Sequence, residues 1–201
     1  MIIKILIVAL LISQPVFASP VSDGALKMIK VGNEIGSASV VTNGQFLLLK
    51  AMFHLNDFDA AYEASMQMRS GNRLLNQAPQ ENQANRILIK LLKQNYDPAL
   101  YQSALYLLDG EGGFVRDEVR ALKLLEKSVE LHSNPQSAFI AAALRNESPI
   151  PSVKNKRYID ELITFAVLNQ VKGASEYQKY YIDNNWRSLG VKNWRQWSDA
   201  Q

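Results

Sequence analysis

Between Asp97 and Ser133 the chain reads DPALYQSALYLLDGEGGFVRDEVRALKLLEKSVELHS, two stretches of helical period separated by a glycine turn. Small residues fall where one helix must approach another closely: Ala99, Ser103 and Ala104 in the first stretch, Ala121 and Ser128 in the second. Gly110-Glu111-Gly112-Gly113 supplies backbone freedom that a residue with a Cβ does not have. Asp117 stands where an N-cap carboxylate would meet the free amides of the second helix. This pattern predicts a helical hairpin.

The chain also repeats itself. Shifted by thirty-eight residues, Tyr101 falls on Phe139, Ala104 on Ala142, Leu125 on Ile163 and Ser128 on Ala166. Asp117 falls on Asn155, another capping side chain, while Gly110 falls on Ser148 in a proline-stiffened NESPIPSV loop. A second, degenerate hairpin is expected from about Asn134 to Gln170. A further first helix in GASEYQKYYIDNNW would cover the open face of that hairpin.

Ala99, Ala104, Gly110, the turn ending Gly113-Phe114, Asp117, Ala121 and Ser128-Val129 together resemble the Sel-one-like repeat, a helical-hairpin member of the tetratricopeptide superfamily. The chain departs from that pattern by one extra residue in the turn, by Leu107 where Tyr is usual, and by His132-Ser133 where a closing Gly is usual. The resemblance implies an all-α, right-handed α-solenoid of antiparallel helical hairpins that binds other proteins and carries no chemistry of its own. It also implies work in envelope assembly, secretion or virulence-linked scaffolding. Residues between the small packing positions, Tyr101, Gln102, Leu105 and Tyr106, are the ones expected to line a groove of first helices and meet the partner's segment.

The amino terminus is expected to direct export. Lys4 forms a positive n-region, Ile5 to Ile12 an apolar h-region, and Pro15 breaks it before Val16-Phe17-Ala18. As a helix this apolar run spans only ~12 Å, against ~30 Å of hydrocarbon, so it suits a cleaved signal over residues 1–18 better than an anchor. The chain has no cysteine, which removes disulfides and lipidated Cys and fits a Gram-negative periplasm. Residues 19–201 are expected to form one α-helical repeat domain: amino-terminal helices over 19–95, repeat hairpins over 96–172 and capping helices over 173–201. No integral span is expected after cleavage.

Charge gives no footprint for nucleic acid. The formal net charge is +3, and the local cluster KNKR at 154–157 has only Tyr158 beside it for stacking. Upstream, NGQFLLLKAMFHLNDFDAAYEASMQM predicts a tetratricopeptide-like hairpin at about 43–70, divided at Asn56-Asp57. Phe46, Leu49, Ala51, Met52, Phe53 and Leu55 are expected on the apolar face of its first helix. Phe58, Ala61, Tyr62, Ser65, Met66 and Met68 keep helical spacing on its second. An irregular connection is expected at Asn76 to Glu81, then a helix from Gln83 to Gln94. VGNEIGSASVVTNG, with three glycines, reads as loop or helix end.

No residue pattern points to catalysis, a cofactor or a metal. His54 lies in an apolar helix face and reads as a packed or half-buried histidine, whereas His132 ends a helix, where an imidazolium suits the carbonyls. Neither has a second His at ligand spacing. Asp57 with Asp59, and Asp117 with Glu118, sit at predicted helix starts. Trp186, Trp194 and Trp197 hold all the tryptophan and read either as a terminal cap, which solenoids need, or as an exposed anchor for a partner. The expected function is thus an exported, non-catalytic protein-binding scaffold or adaptor of the cell envelope. An inhibitor or immunity-type protein with one target is the alternative. A cell-wall hydrolase would instead need a carboxylate or His of shifted pKa inside a cleft.

Overall fold

The computed structural model describes residues 20–148, 154–185 and Arg195. Among these residues the fold is all-α: nine helices and no strand, with Asn72 and Gln77 forming an isolated bridge. Within each unit consecutive helices pack as hairpins in the manner of an α-solenoid. No described helix is long and apolar enough to cross a membrane. The apolar run at Ile5 to Ile12, the Val16-Phe17-Ala18 site and the three tryptophans lie outside the described residues. The chain divides into two compact units between Leu91 and Leu92.

In the first unit, α1 (Pro20–Glu34) and α2 (Ala38–His54) form a close hairpin. The glycines over 31–44, read from sequence as loop or helix end, instead lie largely within these helices. A Cβ on Gly44 would stand 2.8 Å from the Ala25 carbonyl oxygen and 2.7 Å from Ile29 Cγ1. One on Gly32 would stand 2.8 Å from the Val41 amide nitrogen. These glycines are there for close approach, and at such a crossing the missing side chain outweighs weak helix propensity. Gly36, at φ +69°, makes the turn itself.

The buried face of α2 agrees with the expected one only in part: Ala51 is buried and Leu49 and Met52 pack against the core. Val41, Gly44, Leu48 and Ala51 face inward, whereas Phe46, Phe53 and Leu55 are 63%, 70% and 62% exposed. Apolar residues surround α2 on all sides, so spacing alone could not select the face; the glycine contact with α1 does. Asp57 caps α3 (Phe58–Ser70), its carboxylate accepting from the Ala60 amide at 3.0 Å. A ten-residue-scale connection then leads to α4 (Glu81–Lys93), which buries Ala84, Leu88 and Leu91.

The second unit contains α5 (Asp97–Asp109), α6 (Glu118–His132), α7 (Pro135–Glu147), α8 (Lys156–Leu168) and α9 (Ala174–Asp183), each packed on the next. The starts of α7 and α8 lie thirty-eight residues beyond those of α5 and α6. Capping follows the same shift. Asp117 accepts from the Arg120 amide at 2.9 Å, and Asn155 accepts from the Tyr158 amide at 3.2 Å. Gly110 ends α5 in the left-handed region at φ +71°, its amide donating to the Tyr106 carbonyl at 2.8 Å.

Ala99, Ser103, Ala104, Ala121 and Ser128 are all fully buried, and so are the shifted counterparts of four of them, Ser137, Ala141, Ala142 and Ala166, while Ala121 falls on the buried but larger Ile159. Ala121→Leu is therefore expected to overpack the α5–α6 interface at a cost of about 1–3 kcal/mol, read as a lowered thermal midpoint. An unchanged melt would mean that the phase of α6 is wrong. α9 closes the second hairpin: Tyr177 meets Phe139 edge-on at 5.6 Å and Tyr181 at 4.2 Å between ring centroids.

Polar contacts join α5, α6 and α7. The buried Ser128 hydroxyl bonds both the Asp97 carboxylate and, at 2.8 Å, the Ser137 hydroxyl. Asn134 donates to the other Asp97 oxygen at 2.8 Å and caps α7 by accepting from the Ser137 amide at 3.0 Å. Arg145 on α7 pairs with Glu126 on α6 and lies 4.8 Å over the Tyr158 ring on α8.

Candidate functional site

The inward small residues fix the roll of α5, which leaves Tyr101, Gln102, Leu105 and Tyr106 half-buried on its flank. These four are not gathered into one site. Tyr106 stacks on Phe114 of its own turn, with ring centroids 5.7 Å apart and planes at 25°. Leu105 leans on the core. Tyr101 alone lines a cleft of about 240 Å³, opposite Gln136, Phe139 and Ile140 of α7 and the 169–172 connection between α8 and α9.

Gln136, Asn169, Gln170 and Lys172 at this cleft were not singled out from sequence. A signal for it was present, since the thirty-eight-residue shift carries Tyr101 onto Phe139 and Phe139 onto Tyr177. Aromatic residues thus recur at one position of three successive first helices. In the second and third they are buried to 1% exposure, whereas at Tyr101 the ring is half-open.

The first unit holds a cleft of about 260 Å³ between α2, α3 and the start of α4. Five glutamines line it, Gln45, Gln67, Gln77, Gln80 and Gln83, over an apolar floor of Leu48, Leu49, Ala64 and Met68. Gln45 and Gln77 exchange two amide hydrogen bonds, at 2.9 and 3.2 Å. No lining residue is ionisable. Such a surface can pair with amide or hydroxyl groups but offers no proton donor or acceptor of catalytic pKa.

Several of the titratable groups have structural partners. His54, expected to pack on an apolar face, is exposed in the last turn of α2, because that face turns away from α1. The His132 Nε2 lies 2.6 Å from the Asn95 carbonyl oxygen. Asp57 and Asp117 serve as caps. Glu63 has its carboxyl raised above the ordinary range, first by burial and then by the neighbouring Asp59. Burial also lifts the Tyr177 and Tyr181 phenols well above their usual range, and Tyr181 donates to the Glu147 carboxylate. In the basic cluster Arg157 pairs with Glu161 at 3.1 Å on an exposed turn of α8. Among the described residues no three His, Asp or Glu side chains come together as a metal-binding group.

No family model, curated protein or solved structure matches this chain.

Proposed function

We propose that this chain is an exported, non-catalytic protein-binding scaffold or adaptor of the bacterial cell envelope, built from hairpins of the Sel-one-like kind. The observation that carries this reading is the recurrence in the second unit. Helix starts, the Asp117 and Asn155 caps and four of the five buried small residues return after thirty-eight residues, with Ala121 giving way to Ile159, and the first helices α5 and α7 border an open cleft at Tyr101. A repeated hairpin needs little beyond packing residues inside, which leaves the flank of each first helix for a partner's segment. The signal-like residues 1–18 support export to the periplasm.

Tyr101 and Tyr106 are assigned to partner contact, and Asp57 and Asp117 to helix starts. Replacing both tyrosines by alanine should reduce capture of the envelope partner at least tenfold while most of the helical circular dichroism remains. Asp117→Asn should leave capture within twofold of wild type, because asparagine caps about as well as aspartate. A hydrolase predicts the reverse, since an amide cannot act as a general base. A folded Asp117→Asn protein without biological activity, beside an active tyrosine double variant, would overturn the scaffold reading.

A further inference from the structure

We propose that the flank of α5 from Tyr101 to Asp109 is a peptide-docking surface whose resident occupant is the chain's own carboxyl-terminal segment, held there by Arg195. The Arg195 guanidinium donates to the Asp109 carboxylate across 86 residues of sequence. This contact is with the first hairpin of its unit, although the last described helix, α9, ends at Asp183.

The same guanidinium reaches Tyr101 electrostatically. Burial holds the Tyr101 phenol above its ordinary pKa, and the Arg195 charge pulls it partly back. One cation thus acts on Tyr101 in the first half of α5 and on Asp109 at its last residue. That last residue lies where the carbonyl-rich end of a helix favours positive charge. The paired side chains are 39% and 24% exposed, so the contact is partly shielded and open enough to be displaced. In sequence Arg195 is flanked by Trp194 and Trp197, and Trp and Arg are the residue types that dominate docking hot spots.

The inference rests on α5 as the binding face and specifies what that face takes. A protein entering it must displace or match this segment, which calls for an Arg or Lys for Asp109 beside an aromatic side chain for the Tyr101 cleft.

Trp186, Trp194 and Trp197 are all the tryptophans of the chain, so its tryptophan emission reports on the carboxyl-terminal segment alone. In the full chain, Asp109→Lys should shift that emission to the red, towards that of tryptophan in water, and expose it to acrylamide. Helical circular dichroism should persist, because lysine suits the last turn of a helix. Combining Asp109→Lys with Arg195→Glu should restore the wild-type emission. A folded Asp109→Lys protein with wild-type emission overturns the proposal, and so does a red shift that the charge swap leaves in place. Emission that depends on protein concentration would assign the contact to a second copy and overturn the intramolecular form. No partner is present in this experiment, so its failure is distinct from normal partner capture by the Tyr101/Tyr106 variant, which would remove the binding face itself.

Discussion

Phe139→Ala is expected to lower the unfolding free energy by about 3–5 kcal/mol, measured by urea unfolding followed through helical circular dichroism. The ring is 1% exposed on α7 and receives the edge of Tyr177 from α9, so truncation leaves a cavity between helices that are already fixed by other contacts. Neighbouring Ala138, Ala141 and Ala142 are too short to fill it. Phe53→Ala on α2 provides the contrast. That ring is 70% exposed, and its loss should change stability by no more than about 0.5 kcal/mol. A cost below about 1 kcal/mol at Phe139 would mean that α7 and α9 do not pack through this ring.

Gly44→Leu should be nearly as damaging, at about 3 kcal/mol, the upper part of the range for overpacking. Its first side-chain atom would meet the Ala25 carbonyl oxygen at 2.8 Å, and a backbone atom inside α1 cannot rotate aside. Gly24, also in α1, has nothing within 4 Å of the position its Cβ would take. Gly24→Ala should therefore stabilise by about 0.5–1 kcal/mol, the ordinary gain in a helix interior. Opposite signs from two glycines of one hairpin, measured by the same denaturation curves, test the α1–α2 crossing directly. Equal signs would place the crossing elsewhere.

The second unit was legible in the sequence because its signals agree at every level. Small residues mark the crossings, Gly110 ends α5, and Asp117 and Asn155 begin the helices that follow their turns. The first unit was harder to read because its signals conflict. Gly32 and Gly44 look like punctuation in one dimension and become a helix crossing only once α1 lies against α2. Phe46 and Phe53 look like core on α2, but Leu48 and Ala51 are nearer the glycine crossing and take the buried face. At the candidate site, Tyr101 could be placed by helical phase alone. Its neighbours Gln136, Asn169 and Lys172 come from other hairpins, and Arg195 comes from still further along the chain. Local spacing carries no information about which distant loop a cleft will borrow.

The Asp97, Ser128, Asn134 and Ser137 contacts make the joint between the first and second hairpins of the second unit an address. Thirty-eight residues on, Asp97 is replaced by Pro135 and Ser128 by Ala166, and Phe139, Tyr177 and Tyr181 fill the next joint with aromatic rings. The two seams therefore speak different chemical languages. A hairpin moved to the wrong place would leave the part-buried Asp97 carboxylate without its hydroxyl partner. Apolar stacking alone would let similar hairpins trade places; polar partners that differ from one seam to the next, Asp97 with Ser128 at one and Glu147 with Tyr181 at the other, give them an order.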